Sequence, residues 1–76
     1  MMKELITFIV KSLVRQPDSV VVTMHERDGA EVYEVRVAPE DMGKVIGKQG
    51  RIAKAIRSVV KAAAVRENKR VSVDIV

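Results

Sequence analysis

The run Gly43-Lys44-Val45-Ile46-Gly47-Lys48-Gln49-Gly50-Arg51-Ile52 gathers the residue types that hold a phosphate. Gly47 and Gly50, three apart, free the backbone to approach a ligand closely. Lys44, Lys48 and Arg51 bring positive charge, and Gln49 adds a hydrogen-bonding amide. A helical pattern opens straight after the second glycine, so the free amides of a helix start face the same place. Lys54 and Arg57 continue the positive charge along that helix. Together these features predict a phosphate-binding turn.

Other chemistry is poorly served. There are no cysteines, so thiolate metal sites, disulfides and a Cys nucleophile are excluded. His25 is the single histidine and falls on the strand face opposite the apolar set. Glu26, Asp28, Glu31 and Glu34 cluster around a turn without His or Cys neighbours, which reads as turn and surface chemistry. No catalytic constellation emerges, so neither an enzyme nor a cofactor or metal site is expected. A Walker A loop needs four residues between its glycines and a hydroxyl after the lysine. Gly43 and Gly47 are separated by three, and Gln49 stands in the hydroxyl position. The Gly-x-Gly of a dinucleotide fingerprint is missing. An aromatic RNA-binding sheet would need more than Phe8 and Tyr33.

The elements that must position this turn fit one small domain of 76 residues. Residues 2–15 read as a helix with Met2, Ile6, Ile9 and Leu13 on one stripe and Leu5 and Val10 at its edges, stopped before Pro17. Val20 to Glu26 reads as a strand with Val20, Val22 and Met24 on one face. Asp28-Gly29 is a tight-turn pair. A second strand, Glu31 to Ala38, points Tyr33, Val35 and Val37 to the core and Val32, Glu34 and Arg36 away. Pro39-Glu40-Asp41 starts a short helix that ends at Gly47. A further helix spans about Gly50 to Arg66, and Val71, Val73 and Ile75 alternate as a last strand. The resulting fold class is α+β: α-β-β-α-α-β, a three-stranded mixed sheet covered on one face by three helices, with the last strand parallel to the second.

On the long helix, Ile52, Ile56, Val59 and Ala63 form one stripe, with Arg51, Lys54, Arg57 and Lys61 opposite. Lys61, further along the helix from the loop, reads as solvated surface. Ala53, Val60 and Ala64 widen the apolar sector beyond what one core needs, and are candidate dimer contacts. Charge is divided along the chain. Residues 1–41 carry five basic and eight acidic side chains, a balance of −3; residues 42–76 carry nine and two, a balance of +7. A polyanion would be drawn to the second half. Lys3, Glu4, Lys11 and Ser12 interrupt the apolar N-terminal stretch. Neither a signal peptide nor a membrane span is expected, and cytoplasmic localisation is.

The octapeptide Val45-Ile46-Gly47-Lys48-Gln49-Gly50-Arg51-Ile52, within this element order, resembles the signature of the KH domain in its type II arrangement. The resemblance covers the whole chain. The lead-in Val37-Ala38-Pro39-Glu40-Asp41-Met42-Gly43-Lys44 and the continuation Ala53-Lys54-Ala55-Ile56-Arg57 are similar to small bacterial single-KH proteins of the KhpA type. The resemblance implies a Gly-x-x-Gly loop that clamps the backbone of about four single-stranded nucleotides. It implies RNA contacts at Lys44, Gly47, Lys48, Gln49, Gly50, Arg51, Lys54 and Arg57, with Val45, Ile46 and Ile52 as an apolar floor for the bases. A Cβ at either glycine would intrude on the bound strand.

The expected function is therefore single-stranded RNA binding, with an RNA-chaperone or post-transcriptional role. Single-stranded DNA is a weaker alternative ligand. A docking subunit of a larger RNA-binding complex, in which RNA contact is secondary, is the alternative from another class. One groove gives modest affinity, so a second one is useful. The resemblance implies a homodimer and pairing with a larger protein of the KhpB (Jag) type.

Overall fold

In the computed structural model, which describes residues 1–76, the elements are α1 (Met2–Leu13), β1 (Val21–Arg27), β2 (Ala30–Arg36), α2 (Met42–Ile46), α3 (Arg51–Arg66) and β3 (Val71–Ile75). This is the expected α+β order. The sheet runs β1-β2-β3, with β1 antiparallel and β3 parallel to β2. A hairpin can join antiparallel neighbours, whereas the parallel pair needs the helical crossover that α2 and α3 supply. Asp28 and Gly29 turn the hairpin with φ of 54° and 80°. Two positive φ values match the turn to the twist of its strands.

One core lies between the sheet and the helices. Met2, Ile6 and Val10 of α1 meet Val22, Tyr33, Val35 and Val73 of the sheet. Val10 sits at the centre of the α1 stripe; Ile9 and Leu13, expected there, are half-buried at its rim. On the sheet, Met24 shares the core face with Val22 yet stays exposed, because β1 is an edge strand and no helix covers it there. Val32 faces away from the helices as expected but is buried, flanked in register by His25 and Ser72. The Tyr33 hydroxyl donates to Glu31 at 3.0 Å. Burial, and then that carboxylate, push the phenol up to about 12, so it stays a donor.

α1 ends two residues earlier than its apolar pattern suggests, and the reason is Asp41. Val14 is already extended, at φ −95° and ψ 161°. The amides of Arg15 and Gln16 donate to Oδ1 and Oδ2 of Asp41 at 3.1 and 3.0 Å. Asp41 is the one buried charged residue, 1% exposed. Its two charge-assisted bonds satisfy donors that would otherwise be left open past the helix end. They also fix the start of α2, and hence the glycine loop, against α1.

The largest revision concerns α3. Its buried stripe is Ala53, Ile56, Val60 and Ala64, while Ile52 and Ala63 are partly buried and Val59 is 49% exposed. The expected stripe was rotated by about one residue, because α3 must face the sheet and α1 together. Ala53, Val60 and Ala64 are thus core residues, and the expectation that they meet another chain is corrected. Burying a valine such as Val60 contributes roughly 1.5–3 kcal/mol.

Candidate nucleic-acid interface

The loop joining α2 to α3 is built from three residues of positive φ. Gly47, at φ 77° and ψ 173°, closes α2 by donating its amide to the Gly43 carbonyl at 2.8 Å. Lys48 to Gly50 form a single tight turn, with Gln49 at φ 58° and Gly50 at φ 74°. A Cβ at Gly47 would lie 2.6 Å from Cγ1 of Ile52. The chain's own Ile52, rather than a ligand, therefore forbids a side chain there, which corrects the reason expected for this glycine. Gly50 differs: a Cβ would meet nothing within 4 Å. Open approach to the backbone lies at Gly50.

Lys44, Lys48, Gln49, Arg51, Lys54 and Arg57 are exposed. None of the five cations among them takes part in an ion pair. The Arg51 guanidinium donates to Oε1 of Gln49 at 3.2 Å, tying together the two side chains that border Gly50. The apolar floor is smaller than expected. Val45 is completely buried in the core, since α2 must anchor to it, whereas Ile46 is 37% exposed and Ile52 half-buried.

From this loop α3 runs between two surface grooves of opposite chemistry. One, of about 320 Å³, lies between α3 and β3, bordered by Arg57, Lys61, Ser72 and Asp74 over a floor of Val60 and Val73. Arg57 crosses it, its Nε donating to the Val73 carbonyl at 3.2 Å. Lys61, read from sequence as plain surface, belongs to this groove. The other, of about 360 Å³, lies between α1 and α3, and Ile9, Leu13, Ile52, Ala55 and Val59 line it, with Arg51 at its rim. Phe8, on α1, is 72% exposed.

Two contributors were invisible to pattern reading. The alternation in β3 marks a strand but not its place in the sheet, and as an edge it forms one wall of the basic groove. Asp41 has the position of a helix-start carboxylate, yet it serves the end of α1. Its partners, the amides of Arg15 and Gln16, lie too far along the chain for any local pattern to signal them.

A family model for the KhpA/KhpB KH domain matches residues 3–75. The chain belongs to this family. Its KH domain is 63% identical over 75 residues to the RNA-binding protein KhpA of Clostridium acetobutylicum, covering 99% of this chain and 100% of that protein. It is 60% identical, with the same coverage, to the RNA-binding protein KhpA of Clostridium perfringens. Among solved structures it is similar to Aquifex aeolicus Era bound to GDP and aluminium fluoride, with a TM-score of 0.67 and 21% identity, over 97% of this chain and 29% of that one. Era in complex with MgGDPNP and nucleotides 1506–1542 of 16S ribosomal RNA gives the same TM-score and identity, over 28% of its chain. These likenesses show the type II KH fold. No helix of the domain is long and apolar enough to cross a membrane.

Proposed function

We propose that this KH domain binds single-stranded RNA, laying about four nucleotides from the Lys48–Gly50 turn along the groove between α3 and β3. The observation that carries the reading is the open backbone at Gly50, flanked in sequence by Lys48 and Arg51, neither in an ion pair, and continuous with α3, whose Arg57 and Lys61 border that groove. Lys44, Lys48, Gln49, Arg51 and Lys54 meet phosphate or sugar there, and Ile46 and Ile52 support the first base. That relatives 60% and 63% identical are named RNA-binding proteins supports the choice of ligand. Holding unpaired RNA suits an RNA-chaperone or post-transcriptional role. The test is Lys48→Asp together with Gln49→Asp, which sets like charge against phosphate in an exposed turn. Binding to short unpaired RNA should vanish while the circular dichroism spectrum is kept. Unchanged affinity in the folded variant would contradict the reading, and tighter binding to DNA of the same sequence would reassign the ligand.

A second reading, self-association, rests on the apolar α1–α3 groove and the exposed Val59 that lines it. We infer that a second copy covers this face at micromolar concentration, joining two weak RNA grooves in one particle. A homologous KH domain of the KhpB type is the alternative occupant, since the matched family includes both kinds. Docking by this face does not require the basic groove, so the two readings are separable.

A further inference from the structure

Beyond the basic groove, the last turns of α3 and the start of β3 enclose another. It has a volume of about 430 Å³, and Lys61, Ala64, Val65, Lys69, Arg70 and Val71 line it. Lys61 and Val71 also line the first groove, so the two are continuous. Ala64, Val65 and Val71 give it an apolar floor, with Val65 69% exposed. The groove lies at the C-terminal end of a helix, a poor place for an anion unless the last carbonyls are covered. Here they are. Asn68, at φ 56°, folds the chain back. The Glu67 amide donates to the Ala63 carbonyl, and those of Asn68 and Lys69 donate to Val65 and Ala64 at 3.1 and 2.9 Å. Two carboxylates at this end, Glu31 and Glu67, are both turned to Lys69, at 3.6 and 3.9 Å. Asp74 borders only the first groove. Lys61 and Arg70 are exposed and take part in no ion pair.

We propose that this second groove is a phosphate-holding subsite that carries the RNA strand about two nucleotides beyond the first four, with Lys61 and Arg70 gripping its ribose-phosphate backbone. The inference rests on RNA lying in the α3–β3 groove, as proposed above. A strand leaving that groove past Lys61 meets Arg70 next, over an apolar floor that suits a ribose or a base face. Lys69, held by its two carboxylates, leaves the grip to these neighbours. Contact through phosphate makes the subsite indifferent to sequence. It acts on length instead: the domain favours RNA longer than four nucleotides, and only at the end of the strand that points to the start of β3.

The test compares tetrauridine with the same four nucleotides carrying two abasic residues at the 5′ or at the 3′ end, each titrated into the isotope-labelled whole protein. Abasic residues add phosphates but no base, so a longer strand cannot gain by sliding along the groove. One of the two extensions should bind about threefold more tightly than tetrauridine, the scale of an exposed charge contact. It should also shift the amides of Arg70 and Val71. Arg70 enters the fold through its carbonyl, which accepts from the Glu31 amide, so Arg70→Gln should fold as wild type does. That variant should bind tetrauridine equally well and lose the gain. The slope of log K against log salt should steepen by roughly 0.7 for each added phosphate held. No gain from either extension would overturn the subsite while leaving four-nucleotide binding intact. A gain that survives Arg70→Gln would overturn it as well. So would an equal loss for tetrauridine and the extended strands, since Arg70 would then act as diffuse charge. If tetrauridine causes no shift at the glycine loop, the RNA reading fails first and the subsite falls with it.

Discussion

The two flanks of α3 differ in nearly everything except the backbone that carries them. Toward β3 the helix presents Arg57 and Lys61 to a strand edge, where Arg57 holds the Val73 carbonyl. Toward α1 it presents Ile52, Ala55 and Val59 to Ile9 and Leu13, with few polar groups nearby. Between them the stripe of Ala53, Ile56, Val60 and Ala64 is committed to the core. A period of 3.6 residues lets one helix divide three tasks among three sectors. The comparison teaches that a wide apolar sector on a helix is not one surface. Part of it stabilises the fold, and only the remainder is free to meet a partner.

Placing a charge in adjacent sectors breaks this division most strongly. Val60→Asp puts a carboxylate at a site 1% exposed, where an unpaired charge costs about 4 kcal/mol or more, enough to unfold a small domain. Its circular dichroism spectrum should show a largely unfolded chain. Val59→Asp, one residue away and half exposed, should fold normally, run as a monomer in light scattering and keep single-groove RNA binding. A folded, dimeric Val59→Asp would remove the self-association face.

The glycines of the loop sharpen the contrast between internal and external constraint. Gly47→Ala combines a backbone region nearly reserved for glycine with a contact to Ile52, and should lower stability by about 3 kcal/mol in urea unfolding. Gly50→Ala meets open space and a milder left-handed angle, so the loss should be about 1 kcal/mol. Its RNA affinity should nonetheless fall, because the new methyl group stands where the strand approaches. Equal stability losses would mean that the two glycines serve the same purpose.

The smallest effect is a salt slope. Four nucleotides bring few phosphates, so log K against log salt should fall with a slope of roughly −2 to −3, at about 0.7 per phosphate neutralised on a single strand. Lys69 is already engaged by Glu31 and Glu67, at 3.6 and 3.9 Å, which limits any extension of the charged surface. A slope near −8 would show that the whole basic half of the chain is engaged.

Element order, the hairpin turn and the glycine loop were legible because each is written locally: alternation, an Asp-Gly pair, two glycines among lysines. What remained hidden depends on tertiary arrangement. Val59 and Val60 are equally apolar, and only the angle at which α3 meets both α1 and the sheet decides which is buried. Asp41 serves amides twenty-five and twenty-six residues away, which no spacing rule reveals. Val45 carries the loop's sequence signature yet belongs to the core. The hydrogen bond from Arg57 to the Val73 carbonyl needed the strand register of β3, since the same arginine over an inward-facing carbonyl would have found nothing to hold.

The most direct test is a titration of isotope-labelled protein with a short single-stranded RNA, followed through its amide resonances. Shifts should concentrate at Gly47 to Lys54, at Arg57 and at Val71 to Ile75. Ile9, Leu13 and Val59 should stay still at a protein concentration that holds the oligomeric state constant. Shifts confined to the α1–α3 face, with the glycine loop silent, would contradict the account and make docking the principal task of this domain.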